Sequence, residues 1–156
     1  KALNNFLGIQ RRFTKVFSLG ERDFYDDYAH HPTEIKAVIN SAREVYKQRK
    51  IICVFQPHRY SRVKFLKNDF AMSFGSSSLV VLCPVYAAGE KKKYNFSQKN
   101  FSTLISVKSK VQVVNVENKN ELKNYFKQNL YKNEMIICLG AGSISNWIKE
   151  IGEEIK

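Results

Sequence analysis

Five short apolar runs, each separated from the next by a stretch of helical periodicity, constrain this chain more than any other feature. The runs fall at about 22–28 (RDFYDDY), 51–55 (IICVF), 79–83 (LVVLC), 111–116 (VQVVNV) and 135–139 (MIICL). Four of them lack the apolar–polar alternation of a sheet with one wet face, so they read as strands buried on both sides. The clearest helix is read over 32–48, where Ile35, Val38, Ile39, Ala42, Val45 and Tyr46 form one stripe behind Pro32 at the first helical position. Others are read at 62–74 on Val63, Leu66, Phe70 and Phe74, and at about 97–107 on Phe101, Leu104 and Ile105. Two more are read at about 118–131, opened by Asn118 with Glu121 three residues on, and at 143–154, with Ser143 as cap. Strand and helix in alternation predict an α/β fold, a Rossmann-like, mostly parallel sheet of about six strands with helices on both faces. The remaining strand is the run FTKVFSL at 13–19, read as an edge strand and a candidate for antiparallel pairing.

With 156 residues, 44% of them hydrophobic, the chain holds enough apolar mass for one core, and residues 1–156 are read as a single domain. It starts at Lys1 with neither a signal nor a transit pattern, so a piece of a longer protein is expected. No apolar run approaches the roughly 20 residues of a membrane span. Cys53, Cys83 and Cys138 sit inside apolar runs, without a C-x-x-C, which fits buried thiols in a reducing cytoplasm. The net charge of +12 admits two readings: a nucleic-acid-binding module, or a field that attracts anionic substrates. Lysine is scattered, and KKKY at 91–94 is the tight cluster, so the second reading is preferred.

In an open parallel sheet, ligands bind beyond the carboxyl ends of the strands, where loops and helix amino termini converge. Those loops are DDYAHHP (26–32), QPHRYSR (56–62), PVYAAGE (84–90), VEN (116–118) and GAGS (140–143), and they hold every histidine of the chain. His58 and Arg59, followed by Arg62, suit a carboxylate or phosphate receptor; the plainer alternative is a surface ion pair, for instance with Asp69. His31 and Pro32 also fit a simple helix entry, and the GAG loop fits close strand–helix packing as well as an anion cradle. A metal site from His30, His31 and His58 lacks the usual cysteine or carboxylate partners. A dinucleotide fold would need G-x-G-x-x-G after the first strand, and GAGSIS follows the last.

Taken together and in order, RRF (11–13), DDYAHHPTE (26–34), FQPHRYSR (55–62), VYAAGE (85–90) and GAGSI (140–144) resemble the Mur ligase family along almost the whole chain. HHP followed by QPHRYSR is similar to the branch that adds L-alanine to UDP-N-acetylmuramate; the related ligase that recycles murein tripeptide is the alternative within the family. The resemblance implies the carboxy-terminal domain of a three-domain enzyme, with residues 1–12 at an inter-domain joint and the amino-terminal and central domains elsewhere. It implies ATP and Mg2+ as cofactors, the magnesium held mainly by the central domain. Activation of the muramoyl carboxylate as an acyl phosphate, attacked by the alanine amine, is the implied chemistry. By the same resemblance Arg12, Asp27 and His30 face ATP, with Asp27 on the ribose. Tyr28, His58, Arg59 and Arg62 receive L-alanine, and Tyr86, Ala87, Ala88 and Gly89 wall the pocket. No residue is assigned to a metal, and neither a nucleic acid nor a membrane is expected as a partner. The chain has no G-x-x-x-x-G-K-[ST] loop, so by itself it is expected to be catalytically inactive.

Overall fold

Valine, isoleucine and phenylalanine at alternating positions send side chains to opposite faces of a strand, so a run apolar throughout must be covered twice. A computed structural model describes residues 11–91 and 95–156 and shows that arrangement. In chain order the elements are β1 (Thr14–Leu19), β2 (Arg22–Asp27), α1 (Pro32–Val45), β3 (Lys50–Phe55), α2 (Tyr60–Ala71) and β4 (Leu79–Leu82). There follow α3 (Gln98–Ser109), β5 (Gln112–Asn115), α4 (Lys119–Asn129), β6 (Glu134–Leu139) and α5 (Ile144–Ile155). The six-stranded sheet has the order β1-β2-β6-β3-β4-β5, parallel except for β1, which pairs antiparallel with β2 at the edge.

Three successive crossovers, β2 to β3, β3 to β4 and β4 to β5, advance in one direction, and right-handed connection places their helices on one face. Ile51, Cys53, Phe55, Met135, Ile137 and Leu139 point there and pack with Ile35, Val63 and Ile105 of α1, α2 and α3. The return from β5 to β6 runs over the other face. There Ile52, Val54, Ile136 and Cys138 meet Leu122 and Phe126 of α4 and Ile148 and Ile151 of α5. Lys119 and Lys123 of α4 tie it to Glu150 and Glu154 of α5 by surface ion pairs.

The helix bounds differ from the sequence reading where local geometry intervenes. The first helix stops at Val45, because Tyr46 leaves the helical region (φ −111°, ψ 58°). The second starts at Tyr60, two residues early, and ends at Ala71. Asn118 does cap α4, its side chain accepting the Glu121 N–H at 3.0 Å. Ser143 does not cap α5: its backbone is already helical and its side chain makes no cap bond.

All three cysteines are buried free thiols, and burial pushes the Cys53 thiol up to about 12. No helix among the described residues is long and apolar enough to cross a membrane. The segment 1–10, with most of the expected inter-domain joint, and residues 92–94 of the KKKY cluster lie outside the described residues.

Candidate functional site

Strand register decides where the loops begin. Asp27 pairs with Leu139, Leu139 with Phe55, Phe55 with Leu82, and Leu82 with Asn115, so five parallel strands reach their last paired residue at one level. The loops at 28–31, 56–59, 83–90, 116–118 and 140–143 therefore leave side by side. Of the expected site residues, Tyr28, His30, His58 and Tyr86 form a continuous row of rings along this edge. Tyr28 and His30 meet edge-on at 5.0 Å between centroids, His30 and His58 at 5.8 Å, and His58 stacks on Tyr86 at 5.6 Å. His30, expected on the nucleotide side, thus packs against the amino-acid set.

The two histidines are held in complementary forms. His30 Nδ1 lies 3.0 Å from the Tyr28 carbonyl, an acceptor, which assigns a proton to Nδ1 and leaves Nε2 as acceptor in the neutral ring. Its backbone N–H, with that of His31, donates to the Glu34 carboxylate at 3.0 and 3.1 Å, fixing the entry to α1. His58 Nδ1 accepts from the Arg62 guanidinium at 3.0 Å, so the neutral ring carries its proton on Nε2. Burial, then the nearby Arg62, His30 and Arg59, holds His58 below the usual imidazole range.

Arg62 belongs to the first turn of α2, whereas Arg59 stands at its N-cap with a left-handed backbone (φ 69°). Such a conformation is costly for a non-glycine residue and is kept where surroundings enforce it. Here the Arg59 N–H donates to the Tyr86 carbonyl at 2.8 Å, and the Tyr86 N–H returns to Pro57 O at 2.8 Å. His58 and Tyr86 form a parallel bridge, so QPHRYSR and VYAAGE prolong β3 and β4 beyond the sheet. Neither arginine forms an ion pair with a carboxylate among the described residues, which sets aside the Asp69 alternative. The wall residues Ala87, Ala88 and Gly89 form the turn that follows, with Ala88 and Gly89 both left-handed (φ 50° and 84°).

Asp27, the expected ribose partner, is 7% exposed, and its two oxygens accept the N–H groups of Phe13 and Ala29, each at 2.8 Å. Burial nevertheless raises its carboxyl above the ordinary range, against the pull of those amides. Arg12 is exposed, one residue from a tightly held Arg11. Arg11 was given no role by the sequence, yet its guanidinium makes a two-pronged pair with the buried Asp26 at 3.0 and 3.1 Å and donates to Gly140 O at 2.8 Å. It also lies 5.2 Å over the Tyr28 ring, and Ser145 completes the set by donating to Asp26 at 2.6 Å. Gln56, likewise unassigned, accepts the Ile144 N–H at 2.9 Å and donates to Ser143 Oγ at 2.9 Å; it is the cap of α5 that Ser143 was expected to be.

The GAG loop is a packing device. A Cβ on Gly142 would stand 2.5 Å from the Tyr86 ring, and one on Gly140 2.8 Å from Gln56 O, so Gly142 permits the close approach of the ring row and Gly140 that of the β3 end. No three His, Cys, Asp or Glu side chains converge on a metal position among the described residues. An apolar groove of about 480 Å³ along α1, lined by Phe13, Val38, Ala42, Val45 and Tyr46, lies away from these histidines and arginines and has none of their chemistry.

A mostly parallel α/β sheet thus gathers two histidines, two arginines and a buried aspartate at the carboxyl ends of its strands, the edge at which sheets of this class bind ligands. Residues 11–142 match the family model described as Mur ligase, glutamate ligase domain, and the chain belongs to that family. It is 46% identical over 155 residues to the UDP-N-acetylmuramate–L-alanine ligase of Pelagibacter ubique, covering 99% of this chain and 33% of that protein. The crystal structure of the UDP-N-acetylmuramate–alanine ligase of Thermotoga maritima superposes with a TM-score of 0.72 at 28% identity, over 92% of this chain and 29% of that one. A murein peptide ligase from Psychrobacter arcticus gives 0.77 at 16% identity, over 99% of this chain and 32% of that one, a likeness of fold. The chain spans about a third of the length of the curated relatives it matches.

Proposed function

We propose that this chain is the carboxy-terminal domain of an ATP-dependent ligase that joins L-alanine to the carboxylate of UDP-N-acetylmuramate, a step of peptidoglycan precursor synthesis. The observation that carries the reading is the assembly of His30, His58, Arg59 and Arg62 on adjoining strand ends, in a chain 46% identical to such a ligase. Arg62, oriented through His58, and the exposed Arg59 supply planar cationic forks suited to the alanine carboxylate. His58 Nε2–H and His30 Nε2, a donor and an acceptor on adjacent rings, suit the two ends of an amino acid. The ring row, ending at Tyr86, bounds the space beside the small side chain. Asp27 keeps one further lone pair on each oxygen for ribose hydroxyls, and Arg12 is free to reach nucleotide phosphates from the joint.

In this reading, acyl phosphate formation and amine attack take place when the domain closes, and the chain contributes alignment and charge stabilisation. The magnesium that accompanies ATP is assigned to no residue of this chain. The murein-tripeptide alternative rests on likeness of fold at 16% and 19% identity, below the 46% identity to the L-alanine ligase.

Two measurements test the proposal. The complete ligase carrying this sequence is expected to release phosphate only with ATP, UDP-N-acetylmuramate and L-alanine together, and the 156-residue chain alone to release none. Arg59→Lys and Arg62→Lys are expected to raise KM for L-alanine by about tenfold or more, with ATP and UDP-sugar use less affected, because lysine keeps the charge and loses the fork. Wild-type KM for L-alanine together with wild-type turnover in both variants would refute the receptor role.

A further inference from the structure

We propose that Glu90 is a positioning residue for the amino-acid receptor: its carboxylate, reaching from the loop after β4, caps α2 and locks Arg59, Arg62 and the Tyr86–Gly89 wall into one unit. This rests on the L-alanine reading above.

The start of α2 is poorly equipped by its own sequence. Its N-cap is Arg59, whose side chain makes no cap bond, and its first turn contains no acidic residue. A helix amino terminus exposes unpaired N–H groups and the positive end of the dipole, and both favour a carboxylate. Glu90 supplies one from 29 residues away: it accepts the Ser61 N–H at 3.1 Å and also the Ser61 hydroxyl. Ser61 is the second residue of the helix, and Arg62 follows it.

The opposite end of the same loop is already fastened by the Arg59–Tyr86 and Tyr86–Pro57 backbone bonds. Beyond Tyr86 the chain turns back through left-handed Ala88 and Gly89, closed by Glu90 N–H on Ala87 O at 3.0 Å. Among the described residues, the hydrogen bonds that tie this turn to α2 are those of Glu90. The carboxylate therefore sets both the spacing of the wall from the helix and the strained entry through Arg59, which aims one guanidinium directly and the other through the first turn. Without it, the backbone that forces Arg59 into the left-handed region is released on one side.

The test uses the complete ligase. Glu90→Ala is expected to raise KM for L-alanine by about ten- to a hundredfold with KM for ATP unchanged, the scale of loss that follows a misplaced binding group. Glu90→Gln, which keeps one acceptor, is expected to fall between it and the wild type. The double variant Glu90→Ala/Ser61→Ala should be no worse than Glu90→Ala, because the two residues form a single contact. If Glu90→Ala fails to fold, Glu90→Gln carries the kinetic test. Faster exchange of the Ser61 amide in Glu90→Gln, measured by NMR on the 156-residue chain, reports the cap directly. Equal rises in KM for L-alanine and ATP, a wild-type KM in Glu90→Gln, additive losses in the double variant, or an unchanged Ser61 exchange rate would each overturn the assignment while leaving the ligase reading intact. A wild-type enzyme without L-alanine-dependent turnover would overturn both.

Discussion

Replacing Arg11 by Ala is expected to be among the most destabilising single changes in the described structure. The guanidinium is 17% exposed and holds Asp26, 4% exposed at its side chain, by two parallel hydrogen bonds, while a third bond satisfies the Gly140 carbonyl. Among the described residues, removing it leaves Asp26 with Ser145 as its remaining side-chain partner and Gly140 O without its side-chain donor. Breaking a buried ion pair from one side costs about 3–5 kcal/mol, and the partial exposure of Arg11 lowers that to about 2–4. The loss is a large share of the roughly 5–15 kcal/mol that holds a domain of this size together. Urea denaturation of the purified chain, followed by circular dichroism, reads it as a drop in midpoint at constant slope. The double variant Arg11→Ala/Asp26→Ala should recover part of the loss, with a coupling of about 1–3 kcal/mol, since no charge is then stranded. Additive single losses, or a cost for Arg11→Ala below about 1 kcal/mol, would mean that the pair is solvated in solution and does not anchor the carboxyl ends of β2 and β6.

Two further outcomes follow from the strand-end geometry. In the complete ligase, Asp27→Ala is expected to weaken ATP use by about ten- to a hundredfold, the equivalent of losing a charge-assisted hydrogen bond; unchanged KM and turnover with ATP varied would refute the ribose role. His58 should titrate below 6.5 in the folded chain, because burial and the cations of Arg62 and Arg59 oppose its protonation. Its contribution to stability is then present above pH 6.5 and is lost as pH falls through 6.5 toward the folded value, since the unfolded chain takes up the proton first. Arg62→Gln should move the ring's titration up toward 6.5, read by NMR of the imidazole carbon-bound protons; an unmoved midpoint would show that the Arg62–His58 contact does not persist in solution.

Sequence by itself determined the layer structure and the edge on which chemistry gathers. Uninterrupted apolar runs such as IICVF and MIICL can be satisfied only when both faces are covered, and the stripe of α1 is readable because helix period is a local property. Placing the histidines and arginines after strands was enough to put them at one end of a parallel sheet. Spacing alone left the arginines open between an anion receptor and a surface ion pair, and the receptor was an expectation drawn from the resemblance to a known family.

Only the tertiary structure decided which polar groups answer one another. Gln56 caps a helix 88 residues away, Ser145 completes an ion pair with Asp26 across 119 residues, and the cap of α2 comes from Glu90, after the following strand. Local rules put Ser143 at the head of α5, and they fail because the glycine loop before it brings Gln56 within reach first. The first two depend on β6 inserting between β2 and β3, which sets Asp27, Leu139 and Phe55 in one row, and the third on β4 lying beside β3. Periodicity records which side of an element is apolar. It carries no information about which strand lies beside which, and the pairing of buried polar side chains is fixed by that neighbour relation.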